Sequence, residues 1–168
     1  MSSVRYFFTA DEHAGHDKPF IVQARGFDSV EEHDAELIRR HNERVSKGDI
    51  VVHVGDFTLK NADFAADIIR QLKGEHVFIK GSHDYWLKNG HEIWEKKIGD
   101  TYVVACHYAF RVWSRSHYGS LLAFGHSHGR LPPWPGSWDV GVDNNDLYPV
   151  SLGELKEKIA NVGKVCVM

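Results

Sequence analysis

Residues 50–56 read Ile-Val-Val-His-Val-Gly-Asp, and this stretch decides the fold. A continuous run of β-branched residues is typical of a strand buried on both faces, as in a parallel sheet. Gly55 and Asp56 stand where that strand ends. Ligands bind at the carboxyl ends of the strands in open α/β sheets, so this carboxylate occupies a position where a site is expected.

Alternating strands and helices surround this stretch. The pattern predicts a strand at 4–9, a helix from Ser29 to Gly48, a helix at 62–72 and a strand at 76–80. Ser29 with Glu32 three residues later is a capping box, which marks the start of the first helix. Strand, helix, strand, helix, strand is the signature of right-handed βαβ units on a largely parallel sheet.

The second half of the chain is richer in strands. The pattern predicts a hairpin of 93–97 with 101–106, strands at 121–124 and 138–142, a proline-containing loop at 131–138 and a last helix from Ser151 to about Asn161. Too little chain follows the proline-containing loop for a second domain. We therefore expect one domain over residues 1–168, with an α/β fold.

Composition excludes several classes of protein. The chain has 168 residues, of which 42% are hydrophobic and 26% charged, an ordinary globular balance that argues against disorder, coiled coil and membrane spanning. With 20 basic and 23 acidic side chains, the formal charge is −3, so strong nucleic-acid binding is not expected. The amino end has no signal-like apolar segment. We expect a soluble, cytoplasmic protein.

The side chains of this protein that could bind a metal are mostly imidazoles and carboxylates, which offer nitrogen and oxygen ligands. There are 12 histidines but only 2 cysteines, Cys106 and Cys166, without Cys-x-x-Cys spacing. A disulfide framework is therefore not expected, and a reducing compartment fits. Any metal bound by these histidines would have carboxylates, and not thiolates, as the other ligands.

Carboxylates and imidazoles follow one predicted strand after another. These residues are Asp11, His13, Asp56, His83, His107, His126 and His128. The Asp11–His13 and His126–His128 pairs have a spacing of two, which puts both side chains on one side of an extended chain. So many such groups at one edge would be costly unless cations compensated them. The set favours Zn, Mn, Fe or Ni, and two ions bridged by one carboxylate would suit phosphoryl chemistry.

The order of these blocks resembles the calcineurin-like metallophosphoesterases. The residues that carry the resemblance are Asp11-x-His13, Gly55-Asp56, Gly81-Ser82-His83-Asp84, His107 and Gly125-His126-Ser127-His128. The likeness is greatest to the small, single-domain, bacterial and phage-associated members, and it extends from the first strand to Ser151. It implies a four-layer α/β/β/α sandwich of the metallophosphoesterase type, in which two sheets pack face to face between helices.

The resemblance also implies roles for the site residues. One metal would be held by Asp11, His13, Asp56 and His128, and the second by His107 and His126, with Asp56 as the bridge. His83 would contact the phosphate and stabilise the transition state or protonate the leaving oxygen. Ser82 departs from the family pattern, which has a metal-ligating Asn there. A serine hydroxyl is a weaker ligand, so we expect weakened binding of the second metal and reduced turnover.

Several neighbouring residues are candidates for a supporting role. Asp84 is predicted to orient the His83 imidazole. Candidates for substrate binding are His16, Arg25, Arg111 and Arg130, with Arg115 as a further basic neighbour. Trp86, Trp113 and Trp134 could wall a pocket or simply pack under loops. His53 is predicted to be a core histidine, and the five others (His33, His41, His76, His91 and His117) are predicted to be structural or solvated.

The hypothesis is a dinuclear, metal-dependent phosphoester hydrolase acting on small phosphodiesters or nucleotides, with a hydroxide between the two metals attacking phosphorus. One alternative is a feeble or inactive phosphate- or nucleotide-binding module, disabled by Ser82. Another is a metallo-β-lactamase-like hydrolase using His126 and His128. That fold requires Asp-His directly after its His-x-His, and this chain has Gly129-Arg130 there.

Overall fold

The stretch that decides the fold forms the second strand of a parallel sheet. The computed structural model describes residues 3–162, so Cys166 lies outside the described residues. Strands β1 (Tyr6–Thr9), β2 (Ile50–Val54) and β3 (Glu75–Ile79) pair in parallel, and β8 (Val150–Ser151) adds an antiparallel edge next to β1. The predicted parallel βαβ arrangement is confirmed. No prediction covered β8, because two residues are too few to show a period.

The four α-helices in residues 3–162 are α1 (Pro19–Val22), α2 (Val30–Arg44), α3 (Ala62–Ile69) and α4 (Leu152–Val162). Three of them, α2, α3 and α4, begin directly after a residue whose side chain caps them. The Ser29 hydroxyl accepts a hydrogen bond from the Glu32 backbone N–H, as predicted. Helix α2 ends before the predicted Gly48, because Val45 already has extended backbone angles and leads into β2. Helix α1 was not predicted, since one turn of helix gives no detectable periodicity.

The second sheet is formed by β4 (Ile93–Ile98), β5 (Thr101–Cys106), β6 (Leu121–Phe124) and β7 (Ser137–Asp139), in that order. The predicted hairpin of β4 and β5 is confirmed, with Ile98 opposite Thr101. The prediction of a strand as far as residue 142 is wrong beyond Asp139. The chain turns there into a short 3₁₀ helix, Val142–Asn144, which brings Asp143 toward the first sheet's loops.

The two sheets pack face to face. Their shared core includes Val52 and Val54 of β2, Val103 of β5 and Leu155 of α4. On the outer face of the first sheet, α3 packs through buried Ala65 and Ile68, and on that of the second sheet the loop after β5 packs through Trp113. This mixed α/β arrangement of two sheets with helices confirms the predicted fold class. None of the helices between residues 3 and 162 has the length and apolarity that a bilayer crossing requires.

Candidate metal centre

Backbone hydrogen bonds join the loops that follow the strands. The Asp11 N–H donates to the Gly55 carbonyl over 3.0 Å, and the His13 N–H donates to the Asp56 carbonyl over 3.0 Å. From the second sheet, the His126 N–H donates to Asp11 Oδ2 over 2.9 Å. The carboxyl ends of the strands therefore bring the predicted ligands together at one edge of the two sheets.

The first cluster consists of Asp11, His13 and His128, whose ligand atoms all lie within 4.8 Å of one another. Asp11 and His13 are buried, and His128 is half-buried. Asp11 Oδ1 and His13 Nε2 are buried polar atoms with no hydrogen-bond partner among residues 3–162. Leaving such atoms without partners is costly, and a divalent cation between them would satisfy both. The residues of this cluster fit a metal.

The second cluster consists of Asp56, His107 and His126, again with ligand atoms within 4.8 Å of one another. The His107 Nδ1 bonds the Val54 carbonyl over 2.9 Å, which leaves Nε2 to face the cluster, 3.3 Å from Asp56 Oδ2. A second hydrogen bond of this kind commonly orients a metal-ligating histidine. Asp56 Oδ2 also lies 3.8 Å from His13 Nε2 of the first cluster. Asp56 therefore stands between the two clusters.

Burial and neighbouring charges set the protonation of the ligands. Burial raises the pKa of Asp11 to about 7 and lowers the pKa of His13 to about 3. Burial alone would also raise the pKa of Asp56, but hydrogen bonds from His107 and from the His83 backbone hold that pKa well below its usual range. Near neutral pH, His13 is a neutral imidazole and Asp56 a carboxylate, the forms in which these groups bind metals.

Five of the six cluster residues have a left-handed backbone. Their φ angles are Asp11 57°, His13 49°, Asp56 59°, His126 67° and His128 49°. Positive φ is uncommon outside glycine, and residues held there cost of order 1–3 kcal/mol each. Such strain persists only where the surroundings enforce it, and it concentrates at functional sites. Its coincidence with the ligand set supports a functional role for this edge.

Glycines allow the strand ends to approach so closely. A side-chain carbon at Gly55, which has φ 91°, would lie 2.3 Å from His107 Nδ1. One at Gly81 would lie 2.3 Å from the Asp56 backbone nitrogen. Both distances are far inside van der Waals contact, so the glycines of these two motifs are required by the convergence of the loops.

Asp84 acts on the backbone and not on the His83 imidazole. Its Oδ2 accepts from the N–H groups of Asp56 and Gly81, at 2.7 and 2.8 Å. Its Oδ1 accepts from the Phe57 N–H and the Trp86 indole, at 2.9 and 3.0 Å. Asp84 was predicted to orient the His83 imidazole, but its hydrogen bonds go to backbone N–H groups and to Trp86 instead. Asp84 ties the loop after β2 to the loop after β3.

Ser82 and His83 both contact Asp56. The Ser82 hydroxyl donates to the Asp56 carboxylate over 3.2 Å, and the His83 N–H donates to Asp56 Oδ1 over 2.8 Å. The His83 imidazole is 42% exposed, with Nε2 3.9 Å from Asp56 Oδ2. The serine thus reaches the bridging position only through a hydrogen bond to the carboxylate, whereas the His83 ring stands at the solvent side of the site.

A groove of about 310 Å³ opens beside the first cluster. Its polar lining residues include His13, His16, His83, His128, Arg25 and Arg130. Phe20, a residue that is 68% exposed, lines the groove together with Ile21 and Ala24. The lining of the groove thus combines imidazole, guanidinium and carboxylate groups with apolar side chains.

The predicted substrate-binding residues are placed differently from one another. His16 and Arg130 line the groove, whereas Arg111 is exposed and lies over the Trp134 ring, 5.0 Å from its centroid. The Arg25 side chain is 4% exposed, and its donors are used by acceptors within the protein. A phosphate contact by Arg25 is therefore not what the structure shows. Trp113 packs in the core of the second sheet and does not wall the groove.

Two side chains near the site were missed by sequence reasoning. Asp143 bonds His128 Nδ1 over 2.6 Å, and Phe20 walls the groove. Asp143 comes shortly after β7, and a position just after a strand is what singled out the other carboxylates, so that rule could have found it. Phe20 gives no such signal, because its short helix α1 was not predicted and an isolated apolar residue is usually packed inward.

Comparison with known proteins identifies one relative of similar length and solved structures of similar fold. Over 173 residues the chain is 30% identical to the uncharacterized protein MJ1445 of Methanocaldococcus jannaschii, with 98% of this chain and 96% of that protein covered. The crystal structure of AQ665, a protein of unknown function from Aquifex aeolicus, matches with a TM-score of 0.67 at 18% identity, covering 94% of this chain and 100% of that chain.

A doubly substituted Vps29 from Entamoeba histolytica matches with a TM-score of 0.50 at 18% identity, covering 82% of this chain and 73% of that chain. No protein-family model matches the chain. The chain therefore belongs to one family with the M. jannaschii protein, and its fold is that of the calcineurin-like metallophosphoesterases.

Proposed function

We propose that this protein is a dinuclear, metal-dependent phosphoester hydrolase. One observation carries the proposal: two Asp/His clusters meet at Asp56, beside a groove lined by His83, His16 and Arg130. A phosphate bound in that groove would lie within reach of both the candidate metal ligands and three groups able to bind or protonate its oxygens. We take residues 1–168 as one metallophosphoesterase domain, acting in the cytoplasm.

Two divalent ions, of Mn, Fe, Zn or Ni, fit the ligand set. Asp11, His13, Asp56 and His128 would hold the first, and Asp56, His107 and His126 the second, with Ser82 as a weak contributor. When bound, such ions supply charge neutralisation at the phosphate and a lowered pKa of water. The protein's own contribution is to hold these ligands at fixed positions before substrate arrives.

His83 and Arg130 carry the remaining chemistry. The exposed His83 ring faces the groove at the edge of the cluster, where it would give its proton to the oxygen of the departing group. A positioned proton donor of this kind contributes about 10²–10⁴-fold in rate. The Arg130 guanidinium would bind the non-bridging oxygens of the phosphate, and His16 would add a further hydrogen bond.

Small phosphodiesters and nucleotides fit the groove better than phosphoproteins do. Its volume of about 310 Å³ suits a single small ligand. The exposed Phe20 ring offers a flat apolar surface on which a nucleobase or aryl group would stack. A groove that accepts a flat ester group is consistent with nucleotide-like substrates.

The proposal is tested by a panel of phosphoesters assayed with several divalent metals. We expect hydrolysis of bis(p-nitrophenyl) phosphate that requires Mn²⁺ or another of the named ions and is abolished by EDTA. His83→Ala should lower kcat by at least about 10²-fold, whereas the exposed control His91→Ala should leave it unchanged. Activity that persists without metal, or equal activity of the two variants, would contradict the proposal.

Ser82 favours a second candidate function, a phosphate- or nucleotide-binding module with little turnover. Its hydroxyl is bonded to the Asp56 carboxylate, so the family's neutral metal ligand is missing at this position. This function predicts that AMP binds the Mn²⁺-loaded protein while no substrate of the panel is hydrolysed. If Ser82→Asn then yields turnover, the serine is the cause.

A further inference from the structure

Arg25 has no role in the proposed reaction, but it is hydrogen-bonded to the residues that hold the first cluster in place. All five N–H donors of Arg25 have acceptors at 2.7–2.9 Å. Two go to the Asp143 carboxylate in a bidentate pair, two go to the backbone carbonyls of Asp11 and Glu12, and one goes to His33 Nε2. A buried guanidinium with every donor used is fully committed to the protein.

The hydrogen bond from Arg25 to His33 is the first of a series that leads back to the loop carrying Asp11 and His13. Because His33 Nε2 accepts from Arg25, its proton must be on Nδ1, which donates to Asp34 Oδ1 over 2.9 Å. Asp34 Oδ2 in turn accepts the Gly15 N–H over 2.8 Å. The loop that carries Asp11 and His13 is therefore held at both ends, by carbonyl contacts before His13 and by an N–H contact after it.

Asp143 connects Arg25 to His128, the third ligand of the first cluster. It bonds His128 Nδ1 over 2.6 Å, which leaves Nε2 as the nitrogen available to a metal. The same carboxylate accepts two hydrogen bonds from the Arg25 guanidinium, over 2.8 and 2.9 Å, so it links Arg25 to His128. A carboxylate behind a ligating histidine fixes its tautomer and ring orientation.

We propose that Arg25 and Asp143 are positioning residues that selectively set the affinity of the first cluster for its metal. This inference rests on the proposed function. Arg25 stabilises the left-handed backbone at Asp11 through its carbonyl, and Asp143 aims His128. Within residues 3–162, neither Arg25 nor Asp143 bonds a side chain of the second cluster, and the loops of that cluster are joined by Asp84. Losing Arg25 or Asp143 should therefore weaken one metal site and spare the other.

Two background variants separate the sites. His126→Ala removes an exposed ligand of the second cluster and leaves the first to be titrated alone; His128→Ala does the reverse. Each metal-stripped protein is titrated with Mn²⁺, and free Mn²⁺ is followed by electron paramagnetic resonance. Into each background we would place Asp143→Asn, Arg25→Met and a control, Arg44→Met. Arg44 also joins distant segments through an ion pair, to Glu154, but lies away from the site.

We expect Asp143→Asn and Arg25→Met to weaken Mn²⁺ binding about 10–100-fold in the His126→Ala background. In the His128→Ala background, and for Arg44→Met in both, the dissociation constant should change less than about 2-fold. A merely structural role would weaken both sites alike, and so would overturn the inference. If circular dichroism shows that Arg25→Met does not fold, the test rests on the Mn²⁺ affinity of the nearly isosteric Asp143→Asn variant.

The outcomes also distinguish this inference from the proposed function. If the His126→Ala protein is folded and binds no Mn²⁺, both are wrong. If it binds one Mn²⁺ and Asp143→Asn binds equally well, only the positioning role is overturned.

Discussion

The two clusters have the same ligand types but different support. In the first, Asp11, His13 and His128 are held by a charged network that ends on Arg25, and two buried ligand atoms lack partners within residues 3–162. In the second, His126 is exposed and Ser82 supplies a hydroxyl. From this difference we expect unequal affinities for metal: every ligand of the first cluster is at least half-buried, whereas the second exposes His126 and has only a serine hydroxyl beside Asp56.

Asp56 is the residue that the two clusters share, so changing it should have the largest effect. Asp56→Asn removes the charge between them, and metal-dependent activity should fall at least about 10³-fold, about 4 kcal/mol in barrier. Mn²⁺ titration should show both sites weakened. The control is Asp146→Asn, an exposed aspartate that also has a left-handed backbone. If Asp56→Asn retained its activity, the claim that both clusters depend on Asp56 would be wrong.

The support of the second cluster is tested through Asp84. Asp84→Asn replaces an acceptor oxygen by an amide that faces backbone N–H groups, leaving about two buried donors without partners. The free energy of unfolding in EDTA should fall by about 3 kcal/mol, measured by urea denaturation. Asp100→Asn, at a carboxylate that is 88% exposed, should change it by less than about 0.5 kcal/mol. Equal stabilities of the two variants would rule out the bracing role of Asp84.

Ser82 is expected to account for much of the second cluster's weakness. Ser82→Asn offers a carbonyl oxygen to the metal, and the second Mn²⁺ should bind about 10-fold more tightly, about 1.4 kcal/mol. Turnover should rise with it. Ser82→Ala removes the hydroxyl without adding a ligand and should give no gain. If the alanine variant improves binding as much as the asparagine variant, the missing ligand is not the cause.

The smallest effect is expected from the histidines under the first cluster. Burial, chiefly, lowers the pKa of His41 to about 4, against about 6.5 in an unfolded chain. Between these values only the unfolded chain takes up the proton, so the folded state loses stability as the pH falls from 6.5 toward 4. Between pH 7.5 and 5.5 this group accounts for about 1.3 kcal/mol.

His41→Gln keeps a donor for the Lys73 carbonyl and cannot titrate. The decrease in free energy of unfolding between pH 7.5 and 5.5, measured in EDTA, should therefore be about 1.3 kcal/mol smaller than in the parent protein. His117→Gln, at an exposed position, should show the parent decrease. An unchanged decrease in His41→Gln would show that His41 is not a source of the acid sensitivity.

The strand-end rule explains which parts of the site could be predicted. Asp56 follows an unmistakable buried strand, and His126 follows β6 in the same way, so the sequence was sufficient to place them at one edge. The roles of Arg25 and Asp84 were not predictable, because a side chain's direction depends on tertiary neighbours. Arg25 meets Asp143 across 118 residues of sequence. For the same reason β8, only two residues long, is defined by its pairing with β1 and not by its own composition.

The most direct test of the account is the metal content of the protein after loading with Mn²⁺ and extensive dialysis, with anomalous scattering to locate the ion. We predict one ion per chain, retained by Asp11, His13, Asp56 and His128. Retention of two ions, of none, or of a single ion at Asp56, His107 and His126 would contradict the account.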